Sequence, residues 1–280
     1  MSNDAELVTR DLRDGVAVLT FNRPERHNAW SVPFEERYYE RLREAEADAD
    51  VRVIVVTGAG RSFCPGMDAA ALAEQTATGV STNPHLRQSM TTPTRIAKPV
   101  IAAINGACAG IGLIAALNCD LRFASATAKL TTAFVQRGIM AEHNIAWTLP
   151  RLIGTSRALD LLLSGRVVLG DEALTLGLVD RVLPPDELMP ATLEYATAMA
   201  ANSSPVAMGT IKRQVYRSWE TSMEESRTTA IRHWMGHVRH HPDFVEGVAS
   251  YLEKRPPHFE PWDTDTPAEP RPLPTPEEVR

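Results

Sequence analysis

Lys98-Pro99-Val100-Ile101-Ala102-Ala103-Ile104-Asn105-Gly106-Ala107-Cys108-Ala109-Gly110-Ile111-Gly112 is the stretch that decides the fold. Pro99–Ile104 is a continuous apolar run of strand length, the pattern of a strand buried on both faces. The small-residue loop after it opens into Leu113–Leu117, which reads as helix. Upstream, Val51–Thr57 is a longer β-branched run of the same kind, and downstream Leu121–Ala124 is a shorter one. Strands alternating with helical segments predict an α/β fold with mostly parallel strands and right-handed crossovers. Further out, Leu7–Leu12 and Val16–Phe21 flank Arg13-Asp14-Gly15 and read as a β-hairpin. Asn22–Arg26 breaks the pattern as an exposed basic loop, and Ser31 with Glu35–Glu36 behind it is placed to cap a helix running to about Asp48. A helix is also expected over Gly66–Thr92. Past Gly177 one more strand is expected, Leu178–Leu183. From Pro185 to Glu253, spacings such as Leu188, Leu193, Ala196 and Ala200 predict helices.

The chain has 280 residues, 44% hydrophobic and 23% charged, enough to bury a core without disulfides or a structural metal. A net charge of −6 argues against a nucleic-acid protein, whose footprint is basic. Cys64, Cys108 and Cys119 form no CxxC and no zinc pattern, and read as reduced thiols of a cytoplasmic protein. The polar, acidic start, Met1–Asp14, does not read as a signal peptide. No apolar run approaches the ~20 residues that span a bilayer. From Arg255 onward the chain holds 8 of its 20 prolines, so a tail over residues 259–280 is expected to be flexible or draped over a partner. The main unit is expected over residues 1–200 and a helical C-terminal region over 201–258.

Two glycine clusters bear on chemistry. Gly58-Ala59-Gly60 follows a strand, but Phe63 stands where a dinucleotide fingerprint needs its third glycine, so a nicotinamide site is not expected. The cluster Asn105–Gly112 opens a helix whose first N–H groups lack intrahelical partners and sit at the positive end of the dipole. In Arg61–Asp68, Pro65-Gly66 makes a turn that can aim the N–H of Met67 into a cavity. Two such donors converging on one carbonyl oxygen would form an oxyanion hole. Spacing alone leaves this open against two ordinary strand-to-helix turns.

Phe63-Cys64-Pro65-Gly66-Met67-Asp68, Lys98–Gly106 with Ala109-Gly110-Ile111-Gly112, and Cys119-Asp120-Leu121-Arg122 together resemble the signatures of the enoyl-CoA hydratase/isomerase, or crotonase, superfamily. Leu149–Gly154, Gly165-Arg166 with Ala173 and Gly177-Leu178-Val179, and Tyr251–Arg255 continue the match in collinear order over about residues 7 to 260. The resemblance implies a ClpP/crotonase spiral core of ββα units with a helical C-terminal trimerisation region, assembled as trimers or hexamers. The apolar positions Ile211, Val215 and Trp219 would be buried there. It implies lyase or isomerase activity on an acyl-CoA, in the chemistry of fatty acid metabolism, with coenzyme A arriving as part of the substrate and no permanent cofactor or metal. The oxyanion donors would be the N–H groups of Met67 and Ile111. CoA would lie along Arg23, Arg26, His27 and Asn28 and over Met67, Asp68 and Ala69, beside Gly110, with Arg23 and Arg26 meeting phosphates.

The departures from the family pattern shape the expected mechanism. The two glutamates of a typical hydratase fall on Ile114 and Phe134, neither of which transfers protons. A third family location, eight residues beyond the second, holds Glu142, with His143 beside it. Glu142, in an apolar setting made by Ile114, Phe134 and Ile139, is the expected acid/base at an α- or γ-carbon. Asp68 is expected to brace the oxyanion turn, Cys64 to be a buried structural thiol, and His240-His241 to be surface groups. Two alternatives stay open: a hydrolase of a thioester or C–C bond, and an acyl-CoA binding protein without catalysis.

Overall fold

The computed structural model describes residues 7–71, 73, 89–236 and 238–262. Asp14 and Gly15, both at positive φ (48° and 77°), turn β1 (Val8–Arg13) into β2 (Val16–Phe21), a two-residue connection whose twist suits a hairpin. The helix α1 (Val32–Ala47) then returns the chain to β3 (Val53–Gly58), which lies parallel to β2. The Ser31 side chain makes no capping bond to this helix. Glu35 instead accepts the indole N–H of Trp30 at 2.8 Å, which takes it away from the expected cap.

From β3 the chain alternates between two sheets. It passes through β4 (Ser62–Cys64), the single turn α2 (Thr92–Arg95), β5 (Val100–Ile104), β6 (Ala107–Ala109), α3 (Ile111–Leu117), β7 (Leu121–Ser125) and β8 (Lys129–Thr131). After α4 (Ile145–Ile153) and α5 (Thr155–Ser164) come β9 (Val168–Leu169), α6 (Gly170–Leu176) and β10 (Arg181–Leu183). The larger sheet has the order β1-β2-β3-β5-β7-β10 and the smaller the order β4-β6-β8-β9. Apart from the antiparallel pairs β1–β2 and β8–β9, neighbours are parallel. This is the repeated strand–strand–helix plan anticipated above.

The continuous apolar runs of β3 and β5 have a direct cause. Ile54, Val56, Ala102 and Ile104 face a core shared with α1, α3 and the smaller sheet. Val53, Val55, Ile101 and Ala103 face α7 (Leu188–Asn202) through Leu188, Ala196 and Ala200. The four short strands of the smaller sheet carry no comparable pattern and were not expected. The strand expected over Leu178–Leu183 is shorter than that: the N–H groups of Leu178 and Val179 bond to Ala173, and only Arg181–Leu183 pairs with β7. Of the helix expected over 66–92, residues 69–71 and 73 are helical and residues 89–91 are not; 72 and 74–88 lie outside the described residues.

Helices α8 (Pro205–Ser218), α9 (Met223–Gly236) and α10 (Pro242–Glu253) form the expected helical end. Buried Lys212 ties α8 to the sheet, with Nζ 2.6 Å from Asp120 Oδ2 and donating to the carbonyls of Pro93 and Lys98. The tail expected to be free from 259 begins bound. Arg52 donates to the carbonyl of Phe259 at 2.8 Å, and the buried Trp262 packs over Gly209. Residues 263–280 lie outside the description. His241, expected as a surface group, caps α10 by accepting the N–H of Asp243. Among the described residues no helix is long and apolar enough to cross a membrane.

Candidate active site

Beneath the site lies an aromatic cluster of Phe21, Trp30, Phe34, Tyr38 and Phe63, with neighbouring ring centroids 5.0–6.0 Å apart. Phe63 is fully buried in it, so the turn after β3 is organised by packing and not as a phosphate cradle. Trp30 also forms an isolated parallel bridge with Met67. Its N–H donates to the carbonyl of Gly66, and its carbonyl accepts the N–H of Asp68, both at 2.8 Å. In a parallel bridge the residue so flanked turns its own N–H to the other side. Met67 therefore presents its N–H away from Trp30, beyond the turn made by Gly66 at φ 116°.

The second donor arises from α3. Ile111 is its first residue, after Gly110 as N-cap, so its N–H has no intrahelical acceptor. Gly112 brings the two elements together: a β-carbon there would lie 2.1 Å from the carbonyl oxygen of Cys64. The absence of a side chain lets α3 press against the end of β4. Met67 and Ile111 then line one cavity of about 80 Å³, with Pro65, Gly110, Phe134, Ile139 and Glu142 also in its wall. Cys64 beside it is buried, and burial pushes its thiol up to about 12, which leaves it inert at neutral pH.

Glu142 is half-buried on the loop before α4. That loop is fastened to α3 by a reciprocal amide pair: Asn144 donates to Asn118 Oδ1 at 2.7 Å, and Asn118 donates back at 3.2 Å. Asn118 is the C-cap of α3 and also bonds the carbonyl of Ile114; Asn144 also reaches Thr148. The helix that begins at Ile111 is thus bonded at its other end to the segment that carries Glu142. Of the apolar setting expected for Glu142, Phe134 and Ile139 are in the wall, whereas Ile114 is buried behind it. His143 is exposed at φ 51° and is not part of the wall, because adjacent residues on this turn point apart.

The residues expected along the CoA path divide by burial. Asn28 is fully buried. Its side chain accepts the N–H of Arg23 and donates to the carbonyls of Ala59 and Ser62, so it holds the loop in place and presents nothing to a ligand. Arg23 is turned inward, ion-paired to Asp68 at 3.3 Å and donating to the carbonyl of Ala29. Asp68 braces the turn as expected, its other oxygen accepting the N–H of Ala70. Arg26, His27 and Ala69 remain exposed on the loop and turn that the Arg23–Asp68 pair joins.

Two features went unread in the sequence. Arg137 lines the same cavity as Glu142, and the Asn118–Asn144 pair joins residues 26 positions apart. Arg137 lies between Phe134 and Glu142, so its place in a short segment bracketed by two site positions was the available signal. The amide pair left none. A larger apolar groove of about 390 Å³ between α8 and the sheet edge contains Asp120 and Lys212, but these charges pair with each other.

The enoyl-CoA hydratase/isomerase family model matches residues 11–261. The 1,2-epoxyphenylacetyl-CoA isomerase of Escherichia coli K12 is 32% identical over 262 residues, covering 91% of this chain and 98% of that protein. Among solved structures, an enoyl-CoA hydratase of Mycobacterium marinum is 47% identical with a TM-score of 0.66, over 75% of this chain and 97% of that one. A probable enoyl-CoA hydratase/isomerase of Mycobacterium abscessus is 31% identical with a TM-score of 0.83, over 91% and 99%. With this plan of sheets and this extent of likeness, the chain belongs to the enoyl-CoA hydratase/isomerase family.

Proposed function

We propose that the protein is an acyl-CoA lyase or isomerase that works through a thioester enolate, with Glu142 as its acid/base. One observation carries the reading: Met67 on its turn, Ile111 as the first residue of α3, and Glu142 line a single cavity. The thioester carbonyl accepts the N–H groups of Met67 and Ile111. Glu142 takes a proton from the α-carbon, and the C–H electron pair moves toward the thioester oxygen, where the two donors stabilise the charge; one such donor contributes roughly 2.7–4 kcal/mol. Return of the proton to the γ-carbon of a 3-enoyl ester shifts the double bond, and no second carboxylate is needed. This matches the presence of Ile114 and Phe134 where a hydratase of the family uses glutamates. CoA lies over the loop and turn that expose Arg26, His27 and Ala69. Ile211 and Val215, both more than half exposed beside the apolar groove, support assembly of several copies.

The test is mass spectrometry of crotonyl-CoA and a 3-enoyl-CoA incubated with the protein in D2O. Deuterium gain that disappears in Glu142→Gln, with ester binding retained, is the expected result. Turnover unchanged in that variant would remove Glu142 from the mechanism. Tight binding without any mass change in either ester would favour a different acyl group or a binding protein.

A further inference from the structure

We propose that Arg137 makes this site selective for acyl groups that end in a carboxylate, that is, for CoA monothioesters of dicarboxylic acids. The proposal rests on the acyl-CoA reading above. Arg137 closes the short turn Val135–Arg137 and lines the cavity together with Met67, Ile111 and Glu142. Its Nη1 donates to the carbonyl of Ala133 at 2.8 Å, which ties one tip of the guanidinium to the protein and leaves the Nε–Nη2 edge for a ligand. Among the described residues no carboxylate forms an ion pair with it, Glu142 included, although both line the same space. A guanidinium has five donors in a planar fork that matches a carboxylate in a two-bond arrangement.

The rest of the wall strengthens the assignment. Pro65, Phe134 and Ile139 are apolar, so the exposed guanidinium of Arg137 is the cationic donor that a terminal carboxylate running along this wall would meet. A terminal carboxylate would pair with the fork. Phe134 stands three positions from Arg137, where the family pattern has a glutamate. A carboxylate at position 134 would pair with the guanidinium; here Phe134 offers none, and Glu142 lines the same cavity without an ion pair to Arg137. Glu142 then serves the proton and Arg137 the far end of the acyl group.

Isothermal titration with saturated esters tests this without turnover. Glutaryl-CoA is compared with 5-methylhexanoyl-CoA, and malonyl-CoA with 3-methylbutanoyl-CoA; in each pair two methyl groups replace the carboxylate oxygens. CoA alone reports on the nucleotide end. At least tenfold tighter binding of the acid in one pair is expected. Arg137→Gln should abolish that preference and leave the neutral ester and CoA unchanged, and Arg137→Lys should restore part of it. Arg137 is exposed, so these variants keep the fold. Equal affinities within both pairs, preference for the neutral esters, or a uniform loss for all ligands in Arg137→Gln would overturn the proposal. Absence of binding by every ester and by CoA would refute the acyl-CoA reading itself, and this inference with it.

Discussion

Replacing Gly112 by Ala tests whether the close approach of α3 to β4 builds the proposed oxyanion site. The new β-carbon would lie 2.1 Å from the carbonyl oxygen of Cys64 and 2.7 Å from its β-carbon, whereas ordinary contact begins at 3.4 Å. The helix and the strand end must therefore separate by about 1.3 Å. Helix propensity favours Ala by about 1 kcal/mol, while forcing a methyl against backbone sits at the upper end of the about 1–3 kcal/mol cost of overpacking, so the net effect on stability is a loss of about 2 kcal/mol. The effect on chemistry is larger, because Ile111 precedes the clash by one residue. Misplacement by about 1 Å costs on the order of 10²-fold in rate, and complete loss of one donor about 10²–10³-fold. Urea unfolding and deuterium exchange into a 3-enoyl-CoA, measured on the same preparation, separate the two effects. The expected result is a modest fall in midpoint with a hundredfold or greater fall in exchange. Wild-type exchange in a variant of unchanged stability would show that the approach of these elements does not set the donor geometry.

Three further expectations concern the fold. Among the described residues the buried hydroxyl of Tyr38 has no hydrogen-bond partner, so Tyr38→Phe should raise unfolding stability by about 1 kcal/mol, and a loss would mean the hydroxyl is satisfied in solution. Lys212→Met leaves Asp120 without its buried cation and should destabilise by about 3–5 kcal/mol in chemical denaturation; an unchanged midpoint would show that α8 is held by packing alone. The Arg255 guanidinium, helped by the N–H of His258, holds the Glu246 carboxyl down to about 2 from its ordinary 4.5. A depressed acid stabilises the fold above its unfolded value, so this contribution is present above about 4.5 and is lost as pH falls through about 2. Glu246→Gln should flatten that part of an acid-unfolding profile, and an identical profile would argue against the Glu246–Arg255 clamp.

The parallel sheet was legible because its central strands are sandwiched. Val53–Val56 and Val100–Ile104 must be apolar at every position, as α7 covers one face and the shared core the other. The strands of the smaller sheet are two or three residues long and stay hidden, because so short a segment has no periodicity to read. The Met67 turn and the start of α3 were legible as glycine-marked turns, since backbone conformation leaves a residue signature where side-chain pairing does not. His143 next to Glu142 in sequence was a false neighbour, because one step along a turn changes the side-chain direction. The inward turn of Arg23 depended on Asp68, 45 positions away, and no local pattern reports such a pair.

By itself the sequence determined what depends on local chemistry: which segments are apolar enough to be inner strands, where glycine permits a tight turn, and that Ile114 and Phe134 hold no transferable proton. Tertiary structure decided what depends on convergence. It bound Arg23 and Asn28 to protein partners, and linked Asn118 to Asn144. It also brought Arg137 and Glu142 into one wall with Met67 and Ile111. The physical reason is that turns and strands answer to short-range sterics and burial, whereas a site is made of distances between groups far apart in the chain, which only the packed core sets.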